Sequence, residues 1–170
     1  MLKSSRLMTQ SPYKVLFVCM GNICRSPAAE MIFHQLVTRA GCREHFLIDS
    51  AGTIGNHAGN APDYRMTQTL QGRGVDIFGT SRKITAADLT IFDLILVMDQ
   101  DNYDDVSAMD STGAQRGKIH LLTEYCQELR DTRVPDPYYG GQQGFDYVAD
   151  LVVDACTGLL AHLRKKLSLS

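Results

Sequence analysis

Tryptophan is absent from all 170 residues, and proline and cysteine are scarce, with five of each. The cysteine count is odd and the cysteines are widely spaced, which excludes a disulfide framework and fits a reducing cytoplasm. Cys19 and Cys24 have no second close pair, and the five histidines form no ligand motif, so no metal site is expected. No stretch approaches the ~18 consecutive apolar residues of a membrane span. Residues 1–12, with basic residues but no apolar core, read as a loose tail ahead of a single domain over 13–170, not as a signal peptide. Net charge of −2 and a pI near 6.2 leave no nucleic-acid footprint. The basic run His162 to Lys166 reads as the solvated last turn of a helix.

What is present centres on Cys19-Met20-Gly21-Asn22-Ile23-Cys24-Arg25-Ser26-Pro27. The apolar run Val15 to Val18 before it has the character of a buried parallel strand. After it, Ser26 suits a helix N-cap, Pro27 the first helical position and Glu30 the first turn. Ala29, Phe33, Leu36, Val37 and Ala40 recur at helical spacing, and Gly41 suits the helix end. A strand, a tight loop and a helix N-terminus make a seat for an oxyanion such as phosphate or vanadate. Loop N–H groups point inward, the helix contributes partial positive charge, and Arg25 offers a planar fork for two oxygens. A cysteine delivered to the floor of that seat is favoured as a thiolate by the same charges.

Further strands are predicted at Phe46 to Ile48, Phe92 to Met98 and Lys118 to Leu122. Asp63 is placed to cap a helix reaching about Arg73, with Met66, Leu70 and Thr67 inward. Asp99 reads as the cap of another helix, with Asp101, Asp104 and Asp105 loading its first turns; capping explains this acidic cluster better than cation binding does. Pro135 and Pro137 hold Asp136 extended on a stiff loop. Phe145 to Leu167 is an amphipathic helix. Strands alternating with helices indicate an α/β fold: a parallel sheet covered on both faces, with its site at the carboxyl ends of the strands.

Cys-Met-Gly-Asn-Ile-Cys-Arg-Ser-Pro resembles the signature loop of the low-molecular-weight protein tyrosine phosphatases. Asp136-Pro137-Tyr138-Tyr139 resembles that family's second signature, and Ser50-Ala51-Gly52-Thr53 its second-strand end. The likeness covers roughly Lys14 to Leu167. It implies a four-stranded sheet of order 2-1-3-4, Cys19 as nucleophile through a phosphocysteine, Arg25 as phosphate clamp and Asp136 as general acid. It also implies that Met20, Gly21, Asn22, Ile23, Cys24 and Ser26 line the phosphate seat, that Tyr138 walls the substrate ring, and that Ser50 bonds Asn22 from behind. No cofactor is implied. The expected substrate is a phosphotyrosine protein, the expected state a monomer, and a protective Cys19–Cys24 disulfide is known in the family.

Two departures stand out. Asn56 precedes His57 where the family often has tryptophan, and Gly79-Thr80 stand where it often has histidine. His57 itself is read as a solvated loop residue. Arsenate reductases share this fold, and Cys42, Cys126 and Cys156 would be their relay candidates. Protein-arginine phosphatases share it too, tending to carry threonine at the place of Ile23, whose apolar branch here suits an aromatic ring. A non-catalytic phosphotyrosine-binding module would be expected to lose the nucleophile or the acid, and both are kept.

Overall fold

The computed structural model describes residues 11–170; most of the expected tail, residues 1–10, lies outside the described residues. Four strands, β1 (Tyr13–Cys19), β2 (Phe46–Gly52), β3 (Leu94–Val97) and β4 (Ile119–Leu121), form one sheet of order β2-β1-β3-β4. All three pairings are parallel, with Cys19 opposite Gly52 and Val18 opposite Val97. Among the described residues five α-helices accompany them: α1 (Arg25–Arg39), α2 (Tyr64–Gln71), α3 (Ala86–Ile91), α4 (Gln100–Ala108) and α5 (Gln142–Lys166).

The period-two alternation of a strand sorts the core into two layers. Leu16 and Val18 face one way, toward Leu89, Phe92 and Val106 around α3 and α4. Val15, Phe17 and Cys19 face the other, toward Ala29 and Phe33 of α1 and Val152 and Leu159 of α5. Cys19 is thus delivered to the α1–α5 side by strand register alone. Phe17, Phe33 and Phe46 pack edge-to-face there, with centroids 5.8 and 5.6 Å apart. Gly158 lets α5 lie against the turn over Leu122–Tyr125, because a Cβ there would stand 1.9 Å from the Tyr125 carbonyl oxygen.

Several local expectations change. Helix α1 starts at Arg25, with Cys24 at the cap position, and no side chain caps it. Ser26 lies inside the first turn because its hydroxyl is drawn toward Cys19, and Glu30 lies a turn further in. Strand β2 runs on to Gly52; as an edge strand it accommodates the polar Asp49 and Ser50. Strand β3 is shorter than Phe92 to Met98, since Phe92 ends α3 instead. That six-residue helix went unread, although the Asp88 carboxylate accepts from the Thr85 N–H at 2.7 Å, half of a capping box spelled Thr-x-x-Asp. In α2 it is Thr69, not Thr67, that is buried with Met66 and Leu70.

Candidate active site

The carboxyl end of β1, the loop after β2, the N-terminus of α1 and the loop after Val134 converge on one open pocket. At its floor the Cys19 sulfur receives the Asn22 backbone N–H at 3.3 Å and lies 3.0 Å from the Ser26 hydroxyl. The Asn22 amide takes up an acceptor site of that hydroxyl. One of its N–H groups donates to Ser26 Oγ at 2.8 Å, and the single Ser26 proton has two acceptors in reach, the Cys19 sulfur at 3.0 Å and the Ala51 carbonyl at 3.4 Å. The other donates to Ser50 Oγ at 2.9 Å, and the Arg82 backbone N–H donates to Asn22 Oδ1 at 3.0 Å. Ser81 Oγ donates to the Asn22 carbonyl. These contacts hold Asn22 at φ +55°, a left-handed conformation uncommon outside glycine.

Directly beneath, Gly52 is the residue that lets the loop close. A Cβ there would stand 2.7 Å from the Met20 carbonyl oxygen and 3.2 Å from Asn22 Cβ. Behind Ser50 lies Glu30, whose Oε1 accepts the Ser50 hydroxyl at 2.6 Å. Burial pushes this carboxyl up to about 7, with Asp49 adding to the rise; the Ser50 hydrogen bond and Arg82 oppose it. The polar chain therefore runs Glu30, Ser50, Asn22, Ser26, Cys19.

Arg25 is buried, and its Nη1 donates to Asp99 Oδ2 at 2.6 Å and to the Val134 carbonyl at 3.1 Å. Burial alone would lower its proton affinity, but charge at Cys19, the Asp99 hydrogen bond and Asp136 together raise it. Asp99 does double duty: its Oδ1 caps α4 by accepting from the Asn102 N–H at 2.8 Å, while Oδ2 anchors the guanidinium. The expectation of a cap at Asp99 holds, but its second role escaped sequence reading. The motif context offered no signal, because the partners lie 74 positions apart and the cap alone accounts for an aspartate there.

Asp136 lines the pocket with Oδ2 3.9 Å from Arg25 Nη2, and its Oδ1 accepts the Tyr138 N–H at 3.0 Å. Met20, Gly21, Ile23 and Cys24 also line the pocket; Ser26, Asn22 and Ser50 support it from below. The Cys24 thiol is pushed up, first by burial and then by Asp63, Cys19 and Asp136, and so stays protonated. Tyr138 forms a wall, backed edge-to-face by Tyr139 with centroids 4.9 Å apart; Tyr139 itself is 94 % exposed. His57 is a half-buried loop residue: it lines the pocket beside Asn56 and packs over Gly21, where a Cβ would stand 3.1 Å from its Cδ2. Cys42, Cys126 and Cys156 do not line the pocket. Cys42 and Cys156 are buried, and burial raises Cys126 to about 11.

Comparison with known proteins agrees with this geometry. Residues 14–169 match the family model described as low molecular weight phosphotyrosine protein phosphatase. A human protein of that name is 39% identical over 152 residues, covering 89% of this chain and 96% of its own. The crystal structure of a protein tyrosine phosphatase from Entamoeba histolytica, with Hepes in its active site, superposes with a TM-score of 0.88 at 39% identity, covering 91% of this chain and 98% of that one. A Drosophila arginine phosphatase superposes with a TM-score of 0.82 at 34% identity, covering 89% and 98%.

Proposed function

The chain belongs to the low molecular weight phosphotyrosine protein phosphatase family, a family of cysteine-dependent hydrolases, and on that premise we propose how its own residues divide the work. The Cys19 thiolate attacks phosphorus in line, and a phosphocysteine forms as the ester oxygen leaves. Arg25 and the N–H groups of Met20 to Ser26 hold the equatorial oxygens while charge redistributes. Asp136, protonated, delivers its proton to the leaving oxygen; as carboxylate it then takes a proton from the water that hydrolyses the phosphocysteine. The Ser26 hydroxyl stabilises the departing thiolate.

One observation carries this reading. At the floor of the pocket the Cys19 sulfur receives the Asn22 N–H and lies 3.0 Å from the Ser26 hydroxyl, while the buried guanidinium next to it is clamped by Asp99 and has Asp136 3.9 Å away. That is the arrangement needed to bind an oxyanion, attack it and protonate what leaves. Inorganic oxyanions such as phosphate and vanadate are the expected inhibitors.

The substrate we infer is phosphotyrosine in a protein. Ile23 and Tyr138 bring apolar and aromatic surface to the slot above the phosphate seat. The second reading, phosphoarginine, draws support from the polar Asn56 in the same slot. We infer a monomer from the family likeness, and five free thiols support a reducing, cytoplasmic setting. The test is kcat/KM on matched phosphotyrosine, phosphoserine and phosphoarginine peptides in EDTA. Phosphotyrosine is expected to lead, and a lead for phosphoarginine overturns the substrate assignment.

A further inference from the structure

Behind the Tyr138 wall stands a cation that the reaction does not use. The Arg65 guanidinium carbon lies 5.2 Å from the centroid of the Tyr138 ring and 4.7 Å from that of Phe145. Phe145 is fully buried at the start of α5, whereas Tyr138 is partly exposed, so the guanidinium forms a plate between core and rim. Asp63 grips it with both oxygens, Nε to Oδ1 at 3.4 Å and Nη2 to Oδ2 at 3.3 Å. The Asp63 backbone N–H in turn donates to the Ile23 carbonyl at 2.8 Å. Tyr138 lines the pocket and Arg65 does not, which puts the cation on the far side of the ring from the substrate.

We propose that Arg65 is a specificity-determining residue that acts through Tyr138, seating the ring and biasing the slot toward a neutral phenol and against a guanidinium. The inference rests on the substrate reading given above. An aromatic ring presents a negative face to cations, and Arg65 already occupies one face of Tyr138. A second cation brought to the same ring, such as the guanidinium of a phosphoarginine substrate, meets a depleted face and like charge beyond it. A tyrosyl ring suffers no such repulsion and stacks on or tilts against Tyr138. Arginine is the side chain suited to this task, being permanently charged, planar and able to keep its fork on a carboxylate while stacking. The seating extends to the acid, because the Tyr138 N–H donates to Asp136 Oδ1 at 3.0 Å.

The experiment compares kcat and KM on matched phosphotyrosine and phosphoarginine peptides, together with inhibition by inorganic phosphate. The proteins are wild type, Arg65→Gln, Arg65→Lys, Tyr138→Ala and the Arg65→Gln/Tyr138→Ala double variant. Arg65→Gln should move the phosphotyrosine-to-phosphoarginine ratio of kcat/KM about fivefold toward phosphoarginine, mostly through KM, as expected for a lost cation–ring contact and a lost like charge. Arg65→Lys, which keeps the charge but loses the planar fork, should move the ratio about half as far as Arg65→Gln. Phosphate inhibition should stay put, and in the Tyr138→Ala background Arg65→Gln should no longer move the ratio. Arg65→Met, which keeps a stem between the rings, takes the place of Arg65→Gln if that variant does not fold. An unmoved ratio overturns the proposal, as does an equal shift without Tyr138 or a loss shared by both peptides and phosphate. A wild type that itself prefers phosphoarginine overturns the substrate reading alone, since the Arg65-dependent shift is still measured.

Discussion

In the phosphate cradle, Asn22, Arg25 and Ser26 are 1%, 3% and 0% exposed, and the polar atoms of their side chains are fixed by partners on β2, α4 and the Ser81–Arg82 segment. In the ring slot just above it, Met20 is 48% and Tyr138 38% exposed, and Asn56 stands in the open. The cradle meets a phosphoryl group common to all substrates, so a rigid network positions charge without reorganisation during the reaction. The slot meets whatever side chain carries that group, and stacking and shape suffice there. Substitutions in the cradle should therefore cost rate on every substrate, whereas substitutions in the slot should alter the ranking of substrates.

Cys19→Ser should give the largest effect, a fall in turnover of roughly 10⁴-fold or more, as for loss of a covalent nucleophile, while sulfate still binds. Cys24→Ser, whose thiol stays protonated, should remain within about fivefold of wild type. Stopped assays beside sulfate titrations measure both. Asp136→Asn comes next. On alkyl-like leaving groups it should lose about 10²- to 10⁴-fold, and on nitrophenyl phosphate, whose leaving oxygen hardly needs a proton, far less. An equal loss across leaving groups removes Asp136 as the acid.

Asp99→Asn probes whether the anchor belongs with the cradle. The amide still caps α4 but no longer opposes the buried guanidinium, so kcat/KM should drop about 10- to 100-fold on phosphotyrosine and phosphoarginine peptides alike. A drop confined to one peptide would place Asp99 with the slot instead.

Glu30 tests the back of the cradle by stability. Its carboxyl is held up at about 7 in the fold, chiefly by burial, against 4.5 as its ordinary value. A raised acid favours the folded state fully below the ordinary value and loses that advantage as pH rises through the folded one. Between pH 5 and 8 wild type should therefore lose roughly 2 to 3 kcal/mol relative to Glu30→Gln, read from urea midpoints at each pH. Parallel midpoints would show that Glu30 is ionised throughout.

The smallest effect belongs to the slot. Ile23→Thr should shift the phosphotyrosine-to-phosphoarginine ratio a few-fold toward phosphoarginine and leave phosphate inhibition unchanged, since one apolar contact is worth about 10-fold or less.

The two regions also differ in how far they can be read from sequence. The cradle is encoded in nine consecutive residues, and strand register alone turns Cys19 to the α1–α5 face, so its chemistry is legible without a structure. The Ser50–Asn22 bond, expected from the resemblance, forms at 2.9 Å. What escaped reading depends on distant pairing. Asp99 looks like a helix cap because it is one, and Arg65 looks like an ordinary first-turn arginine until α5 brings Phe145 beneath it. Serine before proline suits a helix cap, but at Ser26 the Asn22 amide and the Cys19 sulfur engage the hydroxyl instead. His57, on a loop rich in glycine and asparagine, reveals its place only when that loop folds back over Gly21.

The central claim is that phosphorus passes through Cys19. The most direct test is an acid-quenched turnover with a phosphotyrosine peptide, followed by digestion and mass mapping of the protein. The account predicts one phosphoryl group on Cys19, formed within the first turnover and absent from Cys19→Ser. A phosphoryl group on another residue, or product release with no phosphorylated protein at any quench time, would contradict it.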